Sequence, residues 1–190
     1  MQASENRATT SAETQPELVR AAFRELHGTR LHGFALLLTM GDRAQAARLA
    51  GEALAAGSAR TTELRHPERA AAWLRRRVTR TARAGRGARD RSDRESGRAL
   101  EELGVDVAAF AGLASLTTRE RAALIADSIE RLDRGDVATI VGAGGARLDR
   151  LIRRVRGRYT ATVADALDGA PETNGPLVER IKAIAMRALA

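Results

Sequence analysis

The chain is expected to fold as two small all-α domains joined by a basic, flexible linker. Three observations lead there. Hydrophobic residues make up 44% of the 190 but aromatics only 3%, and alanine and leucine supply much of the apolar content, which favours helices over sheets. Apolar residues recur at three- and four-residue spacing on both sides of residues 84–98, a run with three glycines and almost nothing to bury. Residues 133–158, DRGDVATIVGAGGARLDRLIRRVRGR, have the spacing of a helix-turn-helix whose second helix is loaded with arginine.

Residues 1–15 are polar and small and read as disordered. Pro16 suits the first position of a helix running to about His27, with Leu18, Val19, Ala22, Phe23 and Leu26 on one face. A second helix covers about residues 29–39. Gly41 and Asp42 break it and cap a third, with Ala46, Leu49, Ala50, Ala53 and Leu54 inward. After a loop at 57–65, Pro67 opens a fourth, with Ala70, Trp73, Leu74, Val78 and Ala82 inward. These form a domain over residues 16–84, followed by the linker at 85–99.

The second domain, 100–168, begins with a helix near 107–113. A helix over about 117–132 follows, capped by Thr117 or Thr118 with Glu120. In the helix-turn-helix, Val137, Ala138 and Val141 belong to the first helix and Gly142 supplies the turn, where positive φ is needed. Leu148, Leu151, Ile152 and Val155 turn the long helix of 146–167 inward. That leaves Arg147, Arg150, Arg153, Arg154, Arg156 and Arg158 outside, where phosphate and base-edge contacts originate. A Gly/Pro break at 169–176 precedes a last amphipathic helix with Leu177, Ile181, Ile184 and Leu189, so 169–190 form a separate C-terminal element.

The net charge of +8 is unevenly distributed. Residues 1–64 are neutral, 65–98 carry +8, 99–146 carry −4 and 147–158 carry +5. Two basic blocks separated by an acidic stretch suit two nucleic-acid contact surfaces better than a general solubility charge. The single lysine against thirty-one arginines reflects composition bias, but bias does not explain the clustering.

Other chemistries find little support. There is no cysteine, so disulfides and thiolate metal sites are excluded. His27, His32 and His66 show no ligand spacing with carboxylates, and no cofactor is expected. Gly142, Gly144 and Gly145 lack the lysine and preceding strand of a phosphate-binding loop. No nucleophile or acid/base arrangement emerges, so the chain does not read as an enzyme. The longest apolar run, residues 34–38, is far short of the roughly eighteen residues of a membrane span, and no segment has the layout of a signal peptide. A cytoplasmic protein without membrane insertion is expected.

Taken together, LHGFALLLTMGDRAQAARLAGEAL with HPERAAAWLRRRVTRTA, and then LASLTTRERAALIADSIERLDRGDVATIVG, resemble the small two-domain members of the sigma-70 family, the extracytoplasmic-function sigma factors. The likeness covers residues 17–84, similar to the family's region two, and 113–160, similar to its region four. It implies a bacterial transcription initiation factor that directs core RNA polymerase to promoter DNA, with an anti-sigma factor as a further partner. By position, it implies polymerase binding on the helix of residues 42–56, with Arg48, Leu49 and Glu52 where the family's acidic and amide-rich pattern falls. It implies −10 contact and melting through Arg75, Arg76, Arg77 and Arg80, and −35 recognition through Arg147, Arg150, Arg153, Arg154 and Arg156. Trp73 is open to core packing or base stacking, and its apolar face favours packing. Asp149 can accept from a cytosine amino group or pair with Arg153 four residues on, and the pairing is favoured. A stand-alone helix-turn-helix regulator, and a sigma-derived protein acting through protein contacts alone, are the alternatives.

Overall fold

A computed structural model describes residues 2–84 and 105–168, and residues 2–15 as backbone only. All the described secondary structure is helical, as the alanine- and leucine-rich composition predicts. The linker at 85–99 and the C-terminal helix expected within 169–190 lie outside the described residues.

Helix α1 (Gln2–Leu38) is one helix where the sequence suggested a disordered segment and two shorter helices. Pro16 sits inside it rather than at its start. Composition underrated residues 2–15 because it weighed only what could be buried. Ala3, Glu5, Arg7, Ala8, Ala12 and Glu13 are all reasonable helix formers. Gly28 does not interrupt the helix; it faces the Leu54 side chain, 3.9 Å from where a Cβ would stand. The chain then reverses through Met40 and Gly41, both at positive φ.

Helix α2 (Arg43–Ser58) starts at Asp42, whose carboxylate accepts from the Gln45 amide at 2.8 Å. Helix α3 is Pro67–Ala84. Phe23, Leu31, Phe34, Leu38, Leu49, Leu74 and Val78 are buried among the three helices. Over residues 16–22 nothing among the described residues covers α1. Leu18 and Leu26, expected inward, are 67% and 61% exposed, and Val19 is exposed too.

His27 takes the inward place beside Phe23, with ring centroids 4.7 Å apart. Burial and the Arg75 charge lower its pKa below the usual 6.5. The unfolded chain therefore binds this proton more readily than the folded one. Stability should be complete above pH 6.5 and decline as pH falls from there toward the lower folded value. Thermal melts at pH 7.5 and 5.5 should differ more for the wild type than for His27→Gln. Equal differences would remove His27 as the source.

In the second block, helix α4 is Val107–Ala114 and α5 is Thr118–Leu124, followed by a π-helical turn over Ile125–Ile129. The predicted single helix over 117–132 is thus two elements. The Glu130 amide reaches back five residues to the Ile125 carbonyl at 2.8 Å, and Arg131 closes the segment at φ 53°. The expected cap is present: Thr117 and Glu120 form a reciprocal capping box. Helices α6 (Arg134–Val141) and α7 (Gly145–Asp168) complete the fold. Helix α4 lies on α7 at Gly112, where a Cβ would fall 2.7 Å from the Tyr159 ring and 2.8 Å from Val163. Only glycine permits that approach.

The hydrophobic core does not stop at the block boundary. One cluster of buried side chains runs from Phe23 through Leu74 and Ile125 to Val155. Helix α3 packs on α6 and α5, and α1 touches α5 and the π turn. A small satellite cluster of Ala108, Val163 and Leu167 covers the far end of α7.

Candidate nucleic-acid interface

The α6–α7 pair has the expected turn. Asp133 caps α6 by accepting from the Asp136 amide at 2.9 Å. Gly142 ends it at φ 66°, in the left-handed region open to glycine at little cost. Val137, Ile140, Val141, Leu148, Leu151, Ile152 and Val155 close the core beneath the turn. The sequence missed one support. Arg119 of α5 donates Nε to the Val141 carbonyl at 2.9 Å and Nη2 to the Gly142 carbonyl at 3.3 Å. It thereby satisfies backbone acceptors that the end of a helix leaves unpaired.

Above this turn lies an open groove lined by Arg119, Thr139, Gly142, Gly144, Arg147, Arg150 and Arg154. Arg147, Arg150 and Arg154 occupy positions i, i+3 and i+7 and so share one face of α7. All three are exposed, and none forms an ion pair among the described residues. Arg153 is exposed on the adjoining face.

Arg156 is placed differently. Its Nη2 pairs with Asp127 at 2.8 Å, and its Nε is buried without a partner among the described residues. Its charge therefore serves the junction of α7 with the π turn. Asp149 pairs with Arg134, not with Arg153, and Arg134 also reaches Asp127 at 3.3 Å. Arg153 stands one turn from Asp149 along α7, but the start of α6 brings Arg134 to the same carboxylate. Arg158 pairs with Glu120 at 3.1 Å. Burial works to raise the pKa of Glu120, but the Thr117 amide and hydroxyl and the charges of Arg158 and Arg154 hold it below the ordinary carboxylate value.

A second basic surface lies on α3. Arg76, Arg77 and Arg80 are exposed and line a shallow depression with Trp73, Thr81 and Ala84. The half-buried Trp73 packs against the core and carries two cations on its ring, Arg60 at 5.5 Å and Arg77 at 5.8 Å. Arg75, expected on this surface, is instead buried against Glu130. The run of three arginines reads as uniformly exposed, but a helix with two packed faces must turn one of them inward.

On α2, Leu49 is part of the core. Arg48 and Glu52 are exposed and pair with each other at 2.7 Å. Among the described residues, no group of three His, Asp or Glu side chains gathers to hold a metal ion. Nor is any helix long and apolar enough to cross a membrane.

No family model, no curated protein and no solved structure matches this chain.

Proposed function

We propose that the protein binds duplex DNA through the arginine face of α7 and acts in transcription initiation as a sigma-type partner of bacterial core RNA polymerase. The observation that carries DNA binding is the set of Arg147, Arg150 and Arg154, exposed and unpaired with acids, on a helix that follows a left-handed glycine turn. A major groove about 12 Å wide admits such a helix, and arginine serves both phosphates and guanine edges. The initiation role rests on the order and spacing of the two blocks, which resemble regions two and four of extracytoplasmic-function sigma factors. Arg76, Arg77, Arg80 and the half-exposed Trp73 would then meet single-stranded promoter DNA, where charge and a ring face act together. Core polymerase, promoter DNA and an anti-sigma factor are the partners this reading implies, in the cytoplasm.

One observation favours a second reading, a stand-alone helix-turn-helix regulator. On α2 the residues matching the polymerase-binding pattern are either buried, as Leu49 is, or paired with each other, as Arg48 and Glu52 are.

Reversing Arg150 and Arg154 together to glutamate should weaken duplex binding and flatten its salt dependence. Each lost phosphate contact removes about 0.9 from the log–log slope, so the pair should remove about 1.8. An unchanged slope would take DNA contact away from α7. Co-elution with core RNA polymerase on a sizing column at moderate salt separates the two readings. A stoichiometric complex supports initiation; duplex binding without a complex supports the regulator.

A further inference from the structure

The junction between the two blocks holds an ion pair that removes one arginine from the α3 surface. Arg75 is 4% exposed, although its neighbours Arg76 and Arg77 are open to solvent. Its Nε and Nη2 donate to the two carboxylate oxygens of Glu130, each at 2.6 Å. Its Nη1 donates to the Ala71 carbonyl at 3.2 Å, and the guanidinium lies 5.7 Å from the centre of the Phe34 ring. Two parallel N–H groups meeting two oxygens is the same arrangement with which arginine grips a phosphate.

We propose that Glu130 occupies Arg75 in place of a nucleic-acid phosphate, latching the blocks in a closed form that single-stranded nucleic acid opens by exchange. This rests on the nucleic-acid reading of α3. Once released, Arg75 adds a cation about 100° around α3 from Arg76, on the face adjoining the exposed arginines.

Three features support an exchangeable contact. The first is the composition of α3. Ala70, Leu74 and Val78 share one buried face, whereas Ala72, Arg75 and Thr79 share another, rotated well away from it. The second face has small side chains and a single charge, so α3 itself brings little apolar area to the junction that the core crosses. A buried ion pair adds little net stability over apolar residues of the same shape, and both its members regain water when the surfaces part. The second is the position of Glu130, directly after the π turn, where the extra residue in the helical winding sets its direction. The third is a mismatch at the same junction. Burial, together with the nearby Asp133 and Glu68 charges, raises the pKa of Asp136 on α6, and only Arg75 works against that. The Glu68 charge on α3 and the Asp136 charge on α6 thus repel weakly across the junction.

The test is Glu130→Gln in the full chain, read by small-angle scattering and by binding of a fluorescent oligothymidine over a range of salt. The variant should expand in solution and bind the oligomer on the order of tenfold tighter at low salt. Its log–log salt slope should steepen by about 0.7, one additional single-strand phosphate contact. The double variant Arg75→Gln/Glu130→Gln should expand equally but lose the gain in slope. Unchanged size, affinity and slope in a Glu130→Gln protein that binds the oligomer would overturn the latch and leave the α3 reading intact. Failure of both wild type and variant to bind the oligomer would overturn the α3 reading, and the exchange with it. Should Glu130→Gln fail to fold, scattering of the wild type titrated with oligothymidine answers the same question. Expansion on binding supports exchange, and a constant radius at saturation overturns it.

Discussion

Replacing Phe34 with alanine should lower the stability of both helical blocks, the first by more than the second. The ring is 1% exposed at the centre of the α1–α3 core and lies beneath the Arg75 guanidinium at the block junction. Removing a buried phenylalanine costs about 3–5 kcal/mol through lost transfer energy and the cavity left behind. That is a large fraction of the roughly 5–15 kcal/mol that holds a domain folded. Because one cluster of buried side chains spans both blocks, the loss should reach the second through the weakened junction. The chain contains a single tryptophan and a single tyrosine, Trp73 in the first block and Tyr159 in the second. Urea unfolding followed by Trp73 fluorescence and, in a Trp73→Phe background, by Tyr159 fluorescence reports each block separately. A Tyr159 midpoint that does not move would mean that the two cores are energetically independent.

Arg121→Ala is the second large effect. Its guanidinium donates Nε to the Leu113 carbonyl at 3.1 Å, Nη2 to the Leu116 carbonyl at 3.0 Å, and Nη1 to the Leu38 carbonyl. These acceptors lie at the end of α1, near the end of α4, and in the turn before α5. They are sites where helical bonding runs out. A half-buried carbonyl left without its donor costs about 1–3 kcal/mol, less where water can reach it. The Leu38 and Leu116 carbonyls lose this donor, while Leu113 keeps the Leu116 amide at 3.2 Å, so the loss should be about 2–4 kcal/mol in all. Arg121→Lys should restore only part, because an ammonium on a flexible stem cannot present the planar fork that meets three carbonyls at once. Urea midpoints for the three proteins decide it. A loss below about half a kcal/mol in Arg121→Ala, or full recovery by Arg121→Lys, would show that the fork is dispensable.

Local rules could be read directly from the chain. Asp42 and Thr117 each cap the helix expected of them, because a cap depends on residues three apart. Gly142 turns where the motif requires it, and Leu148, Leu151, Ile152 and Val155 face inward as their spacing dictates. Readings failed where a residue's fate depends on a distant partner. Leu18 and Leu26 have helical spacing but no described surface opposite them, while His27 is buried in their stead. Arg75 is chemically indistinguishable from Arg76 in the sequence; Glu130, 55 residues away, makes the difference. Arg119 and Arg121 donate to backbone carbonyls, a role that no side-chain pattern reveals. At the candidate interface, the sequence located the arginine face of α7. Only the fold separated Arg147, Arg150, Arg153 and Arg154, which have no acid bound to them, from Arg156, which does.

The π turn at Ile125–Ile129 makes the block junction depend on chain length as well as on chemistry. An α-helix advances about 100° per residue, so one residue more or fewer swings everything downstream by that angle. Shortening the segment by one apolar residue would straighten the winding without removing a charged group, yet it would aim the Glu130 carboxylate away from Arg75. Here an insertion or deletion, the change a residue-by-residue comparison treats most crudely, would uncouple the blocks more cleanly than any substitution.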